Sequence, residues 1–210
     1  MSGTEPVPEP GSEPVTPGWV QGAWVRRSRS LGAAGAEEVS DVVWVQAGRW
    51  FADVRVPRGE PTEAALDRAQ AFTGSLVCDG TAVTWRHDID SLGRPAGYED
   101  HAEIEWSADT LIERGAGYVE VWERHGRPGT GAVLEQRHPS DGRLTGRVVA
   151  AGNFTVAVWS SPAPGGTAVS LTGGRPGRGW TVGIGVVPWD AIGAAVEGGQ
   201  APGWMRLTAG

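Results

Sequence analysis

The segment 81–90, TAVTWRHDID, carries a side chain suited to moving a proton near neutral pH, His87. Side chains alternate across an extended strand, so one face is predicted to hold Trp85, His87 and Ile89. The opposite face is predicted to hold Arg86, Asp88 and Asp90. A histidine beside an indole in a concave apolar space could act as a general acid or base. The alternative is a structural histidine whose ring is satisfied by a neighbouring strand's backbone or by a carboxylate.

A second candidate for proton transfer is Glu120, in the segment 117–125. Alternation places four side chains on one side of this segment: Tyr118, Glu120, Trp122 and Arg124. A glutamate among indoles loses hydration, which raises its pKa toward neutrality, and Glu113 on the preceding segment adds a further carboxylate. A solvated outer face with alternating Glu and Arg explains the same residues, so both interpretations stay open.

The segment 49–56 offers two faces that its periodicity does not distinguish. One face holds Trp50, Ala52, Val54 and Val56, and the other holds Phe51, Asp53 and Arg55. If the second face points inward, Asp53 and Arg55 form a buried ion pair, or Arg55 clamps a ligand carboxylate. If it points outward, the pair is a surface contact that adds little stability.

The aromatic residues suggest a binding site. The chain has 11 tryptophans against two tyrosines and three phenylalanines, so indoles dominate any large aromatic surface. Small-molecule pockets are mostly apolar with a few polar groups. We therefore expect a small hydrophobic or amphipathic ligand with Trp44, Trp85 and Trp122 as walls. The polar and flanking positions expected to contact it are Gln46, Phe51, Asp53, Arg55 and His87.

These residues lie on short apolar alternations separated by Gly, Pro, Asp or Asn, a pattern typical of consecutive strands and turns. The predicted strands are 21–29, 40–47, 49–56, 69–78, 81–90, 101–107, 109–115, 117–125, 131–138, 144–151, 153–160, 167–172 and 180–187. Two short helices are predicted at 61–68 and 188–197. Because helices do not recur between the strands, a parallel βαβ fold is excluded, and successive hairpins favour an antiparallel up-and-down β-barrel over a sandwich.

The chain is predicted to have a disordered Pro/Glu-rich tail at 1–18 and a single barrel domain at 19–210. A net charge of −7 argues against nucleic acid or an anionic membrane as the main partner. The single cysteine, Cys78, excludes an internal disulfide. The first residues lack the features of a secretory signal, so a cytoplasmic location is expected. No metal or cofactor is expected, because the histidines are scattered and no cofactor motif is present.

Three pieces of sequence carry a family resemblance: FADVR at 51–55, WRHDID at 85–90 and LIERG at 111–115. The span from Trp19 to Arg124 resembles the lipocalin-like barrel family named for the fungal Hri protein, which also has uncharacterised bacterial members. None of the three pieces is a catalytic signature, so the resemblance implies a lipocalin-like barrel rather than a reaction.

Three functions fit these expectations. The first is a small-molecule binding barrel with a tryptophan-lined apolar pocket. The second is a cofactor-independent lyase, isomerase or cyclase that acts on a small hydrophobic substrate through His87 or Glu120. The third is an adaptor with a filled barrel that recruits a protein partner, since small barrels can be packed solid.

Overall fold

The computed structural model describes residues 16–32, 40–58, 68–125, 131–152 and 154–160, together with the backbone of 167–173, 182–183 and 204–207. Eight consecutive strands form a closed antiparallel barrel, in which each strand pairs with the next and the eighth pairs with the first. They are β1 Gly22–Leu31, β2 Ser40–Ala47, β3 Trp50–Pro57, β4 Gln70–Asp79, β5 Ala82–Asp90, β6 Glu99–Ser107, β7 Thr110–Gly115 and β8 Tyr118–His125. The predicted all-β barrel class is therefore confirmed.

The described strands after His125 lie outside the closed barrel. They form a second antiparallel sheet from β9 Ala132–Arg137, β10 Leu144–Ala151, β11 Phe154–Ser160, β12 Thr167–Gly173, β13 Val182–Gly183 and β14 Trp204–Leu207. The strand order is β13-β12-β11-β10-β9-β14. The sequence patterns anticipated the first five of these strands as segments, but not the separate sheet and not β14.

Three of the predicted segments fall wholly or mostly outside the described part of the chain. The helices predicted over 61–68 and 188–197 lie outside the described residues, except for Arg68, which is in a turn. Residues 1–15 of the predicted tail also lie outside them, and the described chain begins with a short 3-10 helix at Gly18–Val20. A single domain over 19–210 stays a prediction.

The second sheet covers part of the outer barrel surface. Outward side chains of β2 and β3, among them Val45, Ala52 and Val54, share a buried apolar cluster with Val149 and Val156 of the second sheet. This explains why the periodicity of 49–56 was uninformative, because β3 is buried on both faces. In contrast, β6 alternates between buried and exposed side chains, since its outer face meets solvent.

A bulge in β5 changes the predicted alternation. Gly74 of β4 lies opposite His87 and Thr73 lies opposite Ile89, so Asp88 is an extra residue without a partner on β4. As a result Ile89 packs in the cluster shared with the second sheet, while Asp90 hydrogen-bonds to the ring of His87. The predicted placement of Ile89 beside His87, and of Asp90 on the opposite face, is therefore wrong.

Gly74 makes this bulge possible. A Cβ atom at position 74 would lie 1.8 Å from the backbone oxygen of Arg86 and 3.0 Å from the Cα of His87. Glycine is the residue that allows two backbones to approach so closely.

Candidate functional site

The barrel interior contains a small cavity of about 40 Å³ at one end. Its polar lining residues are Asp53, Arg55, His87, Asp100, Glu113 and Tyr118, and its aromatic lining residues are Trp44, Phe51, Phe72, Trp85 and Trp122. The polar residues lie near the ends of β3, β5 and β7 and the beginnings of β6 and β8, which meet at the same rim because the strands are antiparallel. We call this rim the polar end of the barrel.

Indoles fill most of the remaining interior. The ring of Trp44 contacts those of Trp24, Trp85 and Trp122 at centroid separations of 6.2, 5.8 and 5.9 Å. Trp24 donates from Nε1 to the carbonyl oxygen of Val20 at 2.8 Å, and Trp44 donates to Oε1 of Gln46 at 3.1 Å. The interior is therefore packed by satisfied aromatic residues, and the cavity is smaller and more polar than an apolar pocket walled by tryptophan.

Glu113 is a buried carboxylate that faces this cavity. It accepts hydrogen bonds from the Tyr118 hydroxyl at 2.6 Å and from Trp122 Nε1 at 3.1 Å. Burial, and then the neighbouring charge of Glu120, raise the pKa of Glu113 to about 7, against the lowering effect of the Tyr118 hydrogen bond. Both its protonated and its ionised forms are therefore populated near neutral pH.

Glu120 is also buried, but its environment differs. Arg26 Nη1 lies 2.6 Å from Glu120 Oε1, and Arg29 Nε lies 3.2 Å from the same oxygen. Burial raises the pKa of Glu120, while Arg26 and Arg55 act in the opposite direction. Glu120 and Trp122 point into the barrel, so the interpretation of this side of 117–125 as a solvated outer face is wrong.

The face of β3 that points into the barrel carries Phe51, Asp53 and Arg55. The periodicity of 49–56 did not distinguish this face from the opposite one. Arg55 Nε lies 2.9 Å from Asp53 Oδ1, and its guanidinium lies 4.8 Å from the ring centroid of Phe72. The two side chains form the predicted ion pair inside the barrel. Arg55 is thus already engaged by a carboxylate of the protein.

His87 is fully buried and held by Asp90. Its Nδ1 lies 2.7 Å from Asp90 Oδ2. Its Nε2 is 3.3 Å from Asp100 Oδ2 without the alignment of a hydrogen bond. Burial lowers the pKa of His87, but the nearby carboxylates of Asp100 and Asp90 favour the protonated ring, outweigh burial and leave that pKa raised. The pairing with Asp90 orients the ring, as a carboxylate does for a proton-transferring histidine.

The structure brings together seven of the nine residues predicted from the sequence: Trp44, Phe51, Asp53, Arg55, Trp85, His87 and Trp122. The other two do not line the cavity: Gln46 bonds to Trp44 and to the carbonyl of Gly48, and Glu120 pairs with arginines. Sequence reasoning did not propose Phe72, Asp100, Glu113 or Tyr118 as ligand contacts, and it noted Glu113 only as a further carboxylate beside Glu120. Asp100 precedes the predicted strand 101–107, whereas β6 begins at Glu99.

No family model matches the chain, and no curated protein matches it in sequence. Among solved structures, the uncharacterized protein YLR301w from Saccharomyces cerevisiae matches with a TM-score of 0.56 at 14% identity, covering 76% of this chain and 83% of that chain. A lipocalin-like protein from Bacteroides uniformis has a TM-score of 0.41 at 15% identity, covering 50% of this chain and 98% of that chain. At such low identity, the likeness to the yeast protein concerns the fold alone.

The strand topology defines the class of the protein as a closed, eight-stranded, antiparallel barrel of the lipocalin-like kind. The match to the yeast protein covers 76% of this chain, whereas the barrel, Gly22–His125, makes up only about half of the chain. The match therefore extends beyond the barrel strands. Membership of the family named for the fungal Hri protein stays a prediction, because no sequence match supports it. Among the described residues, no helix is long and apolar enough to span a membrane.

Proposed function

We propose that the barrel binds a compact amphipathic molecule in the cavity at its polar end. The observation that carries this proposal is the convergence of Asp53, Arg55, His87 and Glu113 on one cavity beside an aromatic cluster. Burying ionisable groups costs free energy, and a protein in which apolar residues of similar volume replace them is often as stable or more stable. Buried, perturbed ionisable groups that face a cavity therefore favour a ligand site.

The size and charge of the cavity limit the ligand. A volume of about 40 Å³ corresponds to roughly three water molecules, so only a few non-hydrogen atoms fit without side-chain movement. The lining holds three carboxyl groups, Asp53, Asp100 and Glu113, against Arg55 and His87. Because Arg55 is already paired with Asp53, we expect a neutral or cationic polar group rather than a carboxylate.

Two matched sets of probes test this proposal. The small set is propanol, propylamine and propionate, and the larger set is benzyl alcohol, benzylamine and benzoate. The indole N–H resonance of Trp122 is the direct reporter, because this group donates to Glu113 in the cavity wall. We expect the alcohol or the amine to shift this resonance saturably, and the carboxylate of the same size to bind more weakly.

Glu113→Gln should alter the binding, whereas Glu105→Gln, at an exposed position on β6, serves as the control. If no probe of either size shifts the Trp122 resonance at millimolar concentration, the binding proposal fails. The adaptor with a filled barrel then becomes the better interpretation.

A second candidate function is cofactor-independent proton transfer on a small substrate. It is favoured by one observation, that Glu113 and His87 line the same cavity with pKa values shifted upward from their usual ranges. Glu113 replaces Glu120 as the candidate base, since Glu120 is held by Arg26 and does not line the cavity. A group that titrates near pH 7 is suited to exchanging a proton at neutral pH.

The test is deuterium exchange at the α-carbon of small ketones such as acetone in D₂O, followed by proton NMR. In that reaction the base removes a proton and a deuteron is returned to the same carbon. Glu113→Gln and His87→Gln should abolish any exchange above background, while Glu120→Gln should retain it. Equal exchange in all three variants and in buffer alone would exclude proton transfer on this substrate class.

A further inference from the structure

A second, larger cavity lies outside the barrel, between β3–β5 and the second sheet, and has a volume of about 520 Å³. Five arginines line it: Arg49, Arg86, Arg137, Arg143 and Arg147. They come from the turn after β2, from β5, from β9, from the turn before β10, and from β10. This concentration of positive charge contrasts with the net charge of −7 for the chain. We call this cavity the arginine groove.

The inner part of the arginine groove is built around Arg147. This side chain is almost fully buried, with Nη2 2.5 Å from Glu135 Oε1 and Nη1 2.7 Å from Asp88 Oδ2. Its guanidinium also lies 4.2 Å from the ring centroid of Trp50. Because these partners fix Arg147 and the two carboxylates compensate its charge, it gives the groove a rigid floor and leaves anion binding to the other arginines.

The acidic residues in the lining are engaged by cations of the protein. Asp88 is bound by Arg147, and Asp90 is bound by His87 and lies 3.6 Å from Arg94. They offset part of the local positive charge, and Glu135, which binds both Arg137 and Arg147, offsets more of it. The positive charge available to a ligand therefore comes mainly from Arg86 and Arg143.

Arg86 and Arg143 are the arginines with unused binding capacity. Arg86 is exposed on β5 and forms no ion pair with another described residue. Arg143 is exposed, and its Nε lies 3.9 Å from Asp141 Oδ2, which is a long separation for an ion pair. A guanidinium without a close carboxylate keeps its planar set of donors available for an oxyanion.

We propose that the arginine groove binds a small multivalent oxyanion, of the kind presented by a phosphorylated or polycarboxylated molecule. Arginine binds both phosphate and carboxylate through two parallel hydrogen bonds, and several arginines from separate elements favour a ligand with more than one anionic group. The volume of about 520 Å³ lies within the usual range for small-molecule sites. This site is separate from the cavity inside the barrel, so neither proposal depends on the other.

Isothermal titration calorimetry at low ionic strength with pyrophosphate and with citrate tests this proposal. We expect saturable binding of at least one of them. Tighter binding of pyrophosphate would indicate a phosphorylated ligand, and tighter binding of citrate would indicate a polycarboxylated ligand. Added chloride should weaken the binding, because exposed arginines are screened by salt.

The test variant is Arg86→Gln combined with Arg143→Gln, which leaves the buried Arg147 in place. The control is Arg27→Gln combined with Arg114→Gln, two exposed arginines elsewhere on the barrel that change the net charge equally. We expect the groove variant to bind about tenfold more weakly and the control less than about twofold. Absence of binding by both anions, or equal weakening in both variants, would overturn the proposal.

Discussion

Glu113 and Glu120 lie directly opposite each other on β7 and β8, and both point into the barrel. Glu120 is held by the guanidinium of Arg26, whereas Glu113 receives hydrogen bonds from the neutral donors of Tyr118 and Trp122. Two like charges on opposite cross-strand positions destabilise a sheet. The charge of Glu120 is therefore compensated by a cation, whereas Glu113, which forms no ion pair with another described residue, gains a proton more easily.

The first prediction concerns the pH dependence of stability through Glu113. Its pKa of about 7 in the folded protein lies above the value near 4.5 in an unfolded chain. The folded state therefore binds more protons between these values, and its stability decreases as pH rises from about 4.5 through 7. The decrease in the free energy of unfolding over this pH range is on the order of 2–3 kcal/mol, and Glu113→Gln removes it.

The measurement is urea denaturation of both proteins between pH 5 and pH 8. The stability of Glu113→Gln relative to the natural protein should rise with pH. The exposed variant Glu105→Gln should show no such trend, and a constant difference for Glu113→Gln would contradict the assigned titration.

The second prediction compares a buried ion pair with an exposed one on the same two strands. Glu120→Ala leaves Arg26 buried without its carboxylate, so we expect a loss of about 3–5 kcal/mol. Glu123→Ala disrupts the exposed pair with Arg27, so we expect a loss below about 1 kcal/mol. The double variant Arg26→Met with Glu120→Leu should be more stable than Glu120→Ala, as measured by urea denaturation. A double variant less stable than the single one would contradict this account.

The third prediction concerns Gly74 and the bulge at Asp88. Gly74→Ala places a methyl group against the backbone oxygen of Arg86, so β4 and β5 must separate. Such overpacking typically costs about 1–3 kcal/mol, and a backbone clash lies at the upper end or above. Gly18→Ala is the control, since a Cβ there meets nothing within 4 Å. Thermal denaturation should show a clear decrease for the first variant alone, and equal melting temperatures would show that the bulge adjusts freely.

The fourth prediction concerns the protonation of His87. Asp90 accepts or shares the proton at Nδ1, so Asp90→Asn should lower the pKa of the His87 ring, as followed by NMR of its imidazole resonances. Asp88→Asn is the matched control, because Asp88 points to Arg147 on the outside of the barrel. A lower His87 pKa in both variants, or in neither, would contradict the specific role of Asp90.

The raised pKa of His87 also has a consequence for stability. Its contribution is present at low pH and is lost as pH rises through the raised value. Asp90→Asn should therefore destabilise the protein more at acidic than at alkaline pH, which the same denaturation series can measure.

The sequence determined the eight barrel strands and their sequential antiparallel order, because turns and apolar alternation are local properties. The turn between β4 and β5 is an example: Asp79 pairs with Ala82, and Gly80 between them has a φ of 61°, a conformation that glycine adopts without strain. Alternation also placed Trp85 with His87 and Glu120 with Trp122 on common faces, and both pairs point into the barrel.

The tertiary structure decided which faces are inside and which carboxyl group faces the cavity. For β3 the alternation was uninformative because the second sheet buries Ala52 and Val54 while the barrel buries Phe51 and Asp53. The bulge at Asp88 reversed the positions of Ile89 and Asp90, since one extra residue shifts a two-residue period. The arginine groove combines residues of the barrel with residues of the second sheet. Its existence therefore depended on how the second sheet packs against the barrel, which no local pattern specifies.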